Sequence, residues 1–148
     1  MKVLTLNCGS STVKYKLIDT DTKTNLATGK VDRIGMIGAT IEIEKPGGAK
    51  ASHEDELLDH VMAINSILQM LVDPQLQILS SLREIDAIGH RVVHGGETFT
   101  GSVLITPEVV QTLKDNISLA PLHNPPNIQG IEAAQAPLPT VPMVGVFD

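Results

Sequence analysis

Chemistry in this 148-residue sequence concentrates in three segments and one terminal acid. The first segment is Asn7-Cys8-Gly9-Ser10-Ser11-Thr12-Val13-Lys14. Its small residues let the backbone come close to a phosphate, its hydroxyls and N–H groups can donate to phosphate oxygens, and Lys14 supplies charge. The GxxxxGK[ST] pattern is absent and the segment leads into a strand rather than a helix, so this is not a Walker A loop. A polar hairpin turn carrying an exposed lysine is the competing reading.

The second segment is His90-Arg91-Val92-Val93-His94-Gly95-Gly96-Glu97-Thr98-Phe99. Arg91 closes an otherwise apolar strand pattern, and its planar fork suits a carboxylate or phosphate because it can bind two oxygens at once. An arginine that merely caps the strand end stands as the alternative. His90 and His94 have the spacing of a helical metal pair, but Gly95-Gly96 argues against a helix and HExxH is missing. The third segment, Leu119-Ala120-Pro121-Leu122-His123-Asn124-Pro125-Pro126-Asn127, sets polar side chains on a backbone stiffened by proline, which makes a good site wall or a simple helix cap. Asp148 ends the last strand pattern, where α/β sheets often turn carboxylates toward ligands. Cys8 reads as a small buried filler rather than a reactive thiol.

These groups need elements to hold them. Val3 to Leu6 is a short apolar run, and Val13, Tyr15 and Leu17 alternate with Lys14 and Lys16 at the period of a half-buried strand. Leu26 to Ile34 and Thr40 to Glu44 continue the pattern, so the first fifty residues predict an antiparallel meander. Ser52 is the predicted start of a helix, with Glu54, Asp55 and Glu56 in its first turn and apolar residues from Leu57 to Val72 at helical spacing, ended by Pro74. Ile85 to His90 predicts a strand, Thr106-Pro107-Glu108 a helix start with proline at the first position, and Asn124-Pro125-Pro126 a further helix through Ile131. Val144 to Asp148 predicts a final strand. Strands first, then alternating helix and strand, indicate an α/β fold with a mixed sheet flanked by helices.

Composition narrows the function. Eleven basic against seventeen acidic residues leave a net charge of −6, with only Tyr15, Phe99 and Phe147 as aromatics. Neither fits a nucleic-acid surface, which needs a basic face or stacking rings. The single cysteine excludes an internal disulfide, and the absence of CxxC argues against structural zinc. The N-terminal core Val3-Leu4-Thr5-Leu6 is too short for a signal peptide, and no run approaches the roughly 20 apolar residues of a membrane helix. A soluble cytoplasmic protein is the expectation, with Lys2, Lys16 and the acids at 54–56 solvated.

Taken together, the segments resemble the acetate kinase family. Val3 to Lys14 is similar to its N-terminal signature, and Ile88-Gly89-His90-Arg91-Val92-Val93-His94-Gly95-Gly96-Glu97-Thr98-Phe99 to its second. Leu119 to Asn127 and Val144 to Asp148 resemble two further segments in family order, so the likeness spans the chain. The resemblance implies one half of a duplicated, ribonuclease-H-like fold of the actin, sugar-kinase and heat-shock-ATPase superfamily, with residues 1–148 as the N-terminal domain. It implies the reaction of ATP with acetate to give ADP and acetyl phosphate, with Mg2+ or Mn2+, on the route to acetyl-CoA. By similarity Asn7 helps to hold the metal, and Ser10, Thr12 and Lys14 lie near the nucleotide phosphates. Arg91 would hold the acetate carboxylate and the transferring phosphoryl group, Val93 and Leu122 would line the methyl pocket with His123 beside it, and Asp148 would be the catalytic carboxylate.

Two departures stand out. Cys8 takes the place of the usual alanine, which keeps the turn. Family members also continue for about as many residues again, so the expectation is an N-terminal half whose missing partner half carries the adenine site, with a homodimer in the complete enzyme and no turnover by this chain alone. Acetate is already anionic and needs no base, so Asp148 is better placed to orient the metal or its water. Arg91 would screen the repulsion between acetate and ATP, about 4 kcal/mol for two unit charges at about 4 Å and an effective dielectric near 20. A non-catalytic half-domain and a propionate or other short-chain acyl kinase are the alternatives; one methylene is worth only about 1–3 kcal/mol of discrimination.

Overall fold

Leu4, Leu6 and Cys8 alternate with Thr5 and Asn7 along β1 (Lys2–Cys8), so one face of the strand is buried and the other is turned outward. The same alternation in β2 (Val13–Asp19) buries Val13, Tyr15 and Leu17 and leaves Lys14 and Lys16 exposed. In the computed structural model, which describes residues 1–92, 101–117, 121 and 124–147, these strands belong to a single mixed sheet. β1, β2, β3 (Thr24–Asp32), β4 (Thr40–Glu44) and β5 (Lys50–Glu54) form the antiparallel meander. β6 (Ala87–Val92) and β8 (Met143–Phe147) then run parallel to β1, and β7 (Gly101–Leu104) closes the edge antiparallel to β8. The order is β5-β4-β3-β2-β1-β6-β8-β7.

Parallel neighbours require crossovers, and the helices supply them. α1 (His60–Leu71) lies between β5 and β6, and α2 (Pro107–Asp115) and α3 (Asn124–Gln135) between β7 and β8. α1 and α3 pack together over the face that carries Leu4, Leu6 and Ile88. Leu113 of α2 joins Val92, Ile131 and Phe147 in a smaller cluster on that face. Among the described residues, all three helices therefore cover one face, and the other presents polar side chains. None of the described helices is long and apolar enough to cross a membrane.

Several expectations needed adjustment. Ser52 does not open a helix; it lies on β5, paired with Glu42 of the neighbouring strand. α1 starts at His60, with Asp59 as N-cap accepting from the Met62 amide, and has no acid in its first turn. A polar stretch reads as a helix start in isolation, but the unpaired edge of β4 can use its backbone groups as a ladder. The helix turns Ala63, Ile64, Ile67, Leu68 and Leu71 inward, while Val61 and Met62 remain exposed. β3 ends at Asp32, where Arg33 takes a left-handed φ of 61°, so Ile34 lies beyond the strand. β7 had no counterpart in the sequence pattern. Lys2 is not simply solvated: its Nζ lies 2.8 Å from Glu84 Oε1, and this contact with the Ser80 and Ser81 donors pulls the Glu84 carboxyl down to about 2.

Candidate functional site

The segment between β1 and β2 is held by three bonds from elsewhere in the chain and by one within itself. Asn127 Nδ2 of α3 donates to the Cys8 carbonyl at 2.8 Å. His60 Nε2, at the first turn of α1, meets the Gly9 carbonyl at 2.6 Å. A carbonyl can only accept, so this nitrogen carries the proton. Ile34 N donates to the Ser11 carbonyl at 2.9 Å, and Gly9 N to the Thr12 carbonyl at 2.8 Å. Among the described residues every peptide is trans, so each C=O is opposed by the N–H of the next residue. Fixing the Gly9 and Ser11 carbonyls toward the protein body therefore turns the Ser10 and Thr12 N–H groups away from it. This polarity suits an anion.

Close packing enforces the arrangement. A Cβ at Gly9 would lie 2.8 Å from Thr12 Oγ1, and one at Gly130 of α3 would collide with Cys8 Sγ. Cys8 is the contact point between the loop and α3. Burial pushes its thiol up to about 12, so it is a neutral packing group.

The open face of the sheet continues the site. Asn7 pairs with Lys14 across β1 and β2, and Lys14 with Lys30 across β2 and β3. These side chains, with Thr5, Lys16 and Glu42, line a broad concavity of about 760 Å³. Lys30 is engaged by Asp32 at 3.2 Å. β1 and β6 run in parallel with Leu6 opposite His90, so the next row of the pleat sets Arg91 beside Asn7 on the open face. On its other side Arg91 is paired with Val146 of β8.

Asn7, Ser10, Thr12, Lys14 and Arg91, five of the residues singled out from sequence, thus gather at the carboxyl ends of β1 and β6 and the loop above them. Crevices at such strand ends are where open α/β sheets bind ligands. Val93, Leu122, His123 and Asp148 lie outside the described residues. His90 faces the other way: it is 2% exposed, burial lowers it to about 4, and its Nε2 has no partner among the described residues. His60 was not foreseen, because a histidine at the start of a helix carries no sign of contact with a loop 51 positions earlier.

Comparison with known proteins bears on the same segments. Residues 2–148 match the model of the acetokinase family. The chain belongs to the acetokinase family. It is similar to the acetate kinase of Carboxydothermus hydrogenoformans, 53% identical over 148 residues, all of this chain and 37% of that relative. The crystal structure of Porphyromonas gingivalis acetate kinase superposes with a TM-score of 0.95 at 47% identity, over 99% of this chain and 37% of that one. A propionate kinase from Francisella tularensis gives a TM-score of 0.88 at 38% identity, over 99% of this chain and 36% of its own. This member of the acetokinase family therefore spans a little over a third of the length of these relatives. The mixed sheet with its helices is the architecture shared with the acetate and propionate kinases.

Proposed function

We propose that residues 1–148 are the N-terminal domain of an acetate kinase, supplying the acetate pocket and one wall of the phosphate site. The observation that carries this reading is the loop whose carbonyls turn inward, set beside Asn7, Lys14 and Arg91 on one face. Phosphoryl transfer asks a protein for positioning and charge neutralisation more than for covalent help. An acetate oxygen attacks the γ-phosphorus, the bond from that phosphorus to the β,γ-bridging oxygen breaks, and ADP leaves with the electron pair. No proton moves, so no base is required.

Each residue has a part in that scheme. The Ser10 and Thr12 N–H groups and hydroxyls receive phosphate oxygens, and Lys14 adds charge from the open face. Arg91 spans the acetate carboxylate and the incoming phosphoryl group, holding two anions that otherwise repel. Val93 and Leu122 bound the methyl group, with His123 beside them. Among the described residues no three His, Cys, Asp or Glu side chains converge. What the site offers is the neutral oxygen of Asn7 and two hydroxyls, donors that suit Mg2+ or Mn2+ carried in on nucleotide phosphates rather than caged by protein. When bound, such a metal would supply positive charge against the nucleotide phosphates. Asn7 would complete its shell and Asp148 would orient it.

The remaining length, of which the relatives have nearly twice as much again, would supply the adenine site, and the complete enzyme would be a cytoplasmic homodimer. Propionate is the second acid to consider, favoured by the likeness to a propionate kinase. The test is a hydroxamate assay for acetyl phosphate on the 148-residue chain, alone and joined to the C-terminal part of a relative. Turnover should appear only in the joined form, with acetate preferred to propionate. Robust turnover by the chain alone, or none in the joined form, would reject the reading.

A further inference from the structure

We propose that His60 is a positioning residue for the phosphate loop, setting the Gly9–Ser10 peptide so that the Ser10 N–H faces the anion. The proposal rests on the reading of this loop as a phosphate site.

Three features single out His60. It is 5% exposed, so its ring is committed to the protein interior rather than to solvent. Its Nε2–H donates to Gly9 O at 2.6 Å, a short contact to a glycine whose own N–H is spent on Thr12 O and so holds the preceding peptide but not the Gly9–Ser10 one. Glycine is the most permissive residue in backbone conformation. Without an external bond, rotation of the Gly9–Ser10 peptide would turn a carbonyl toward the phosphate instead of an N–H. Replacing a donor by an acceptor there reverses the sign of the interaction with an anion. The other anchors do not substitute for it: Asn127 fixes the preceding peptide through Cys8 O, and Ile34 fixes one further on through Ser11 O.

His60 is itself held. It occupies the first position of α1, next to the Asp59 cap, and α1 is packed through Ile64 and Ile67 into the main core. Core packing of a helix is thereby linked to the orientation of a peptide at the site. His60 touches no reacting atom, and its effect should be confined to nucleotide binding.

The experiment uses the 148-residue segment joined to a relative's C-terminal part. Three variants separate the donor from the bulk. Gln at 60 places an amide nitrogen three bonds from Cβ, as Nε2 is; Asn stops one bond short; Met keeps length and burial with no donor. H60Q should hold the KM for ATP and the Kd for a fluorescent ADP analogue within about threefold of the parent. H60N and H60M should each weaken both by about tenfold, with the KM for acetate unchanged. Equal nucleotide constants across the three variants, whatever their melting temperatures, would overturn the proposal. So would failure of both H60N and H60M to fold while H60Q folds, since His60 would then serve folding alone. A parent protein that binds the ADP analogue but does not phosphorylate acetate would reject the acetate kinase reading and leave the Kd comparison to decide on His60.

Discussion

Tyr15 lies across Gly29. The two residues are partners in the β2–β3 ladder, and the phenol passes over the glycine to donate from Oη to the Glu42 carbonyl of β4 at 2.6 Å. A Cβ at Gly29 would overlap the phenol oxygen and the Glu42 carbonyl together. One aromatic ring thereby ties three strands of the meander together on the core side, directly beneath the polar concavity that holds Lys14. Gly29→Ala should destabilise the chain by about 2 kcal/mol or more, because β4 backbone as well as a side chain must move. Tyr15→Phe should cost about 1–3 kcal/mol through the unpaired Glu42 carbonyl. Guanidinium midpoints measure both, and an unchanged midpoint for Gly29→Ala would contradict the packing described.

In the joined, full-length form, Arg91→Lys should lower kcat by about 100-fold, the scale for loss of one well-placed donor to developing charge. Lysine keeps the charge but not the planar fork. Val93→Ala should lower kcat by less than about tenfold and shift preference toward longer acids, since removing methyl groups enlarges a pocket by an amount worth only about 1–3 kcal/mol. Steady-state kinetics with acetate and propionate make the comparison. Similar small losses in both variants would remove the assigned roles.

Lys14 is exposed on the outer face of β2, away from the core. Lys14→Ala should therefore leave the melting temperature within about 2 °C while raising the KM for ATP, the usual outcome for a surface substitution away from packing. A fall in melting temperature with unchanged ATP dependence would show that the lysine serves the sheet instead.

Acid should weaken the fold in two windows. His90 is lowered by burial from its ordinary 6.5 to about 4, so between these values the unfolded chain binds a proton that the folded chain resists. Stability is complete above pH 6.5 and falls as pH drops toward 4, by about 3 kcal/mol at about 1.4 kcal/mol per unit. Glu84 is lowered from 4.5 to about 2, chiefly by its bond with Lys2, so its contribution is present above 4.5 and is lost as pH falls through 2. Thermal melts of the chain from pH 8 to 3 should show the first decline, and His90→Gln should flatten it without affecting the decline below pH 4. An equal slope in the variant would assign the acid sensitivity elsewhere.

The sequence alone determined the chemistry-bearing segments and most of the strands and helices. Alternation at Val13, Tyr15 and Leu17, proline at the first turn of α2, and the Asn124-Pro125-Pro126 opening of α3 are local signals, written within a few residues of the structure they cause. The family signatures are likewise contiguous runs, which is why Asn7, Ser10, Thr12, Lys14 and Arg91 could be named before any fold was known. The start of α1 was not legible. Ser52 to Glu56 resembles a helix N-terminus in isolation, and only the free edge of β4 draws its first three residues into a strand. β7 is similarly defined by its partner, β8, rather than by its own four residues.

Tertiary structure alone decided how the loop is aimed. His60 of α1, Asn127 of α3 and Ile34 of the turn after β3 each spend a bond on a carbonyl of the Cys8–Ser11 stretch. Peptide orientation around a glycine has no local preference strong enough to be encoded by its neighbours, so it is fixed only by partners that the folded chain brings close. The same holds for the placing of Arg91 beside Asn7, which depends on the parallel register of β1 and β6 across more than eighty residues of chain. Residue types and short-range periodicity are properties of sequence; the direction in which a loop N–H points is a property of the packed core behind it.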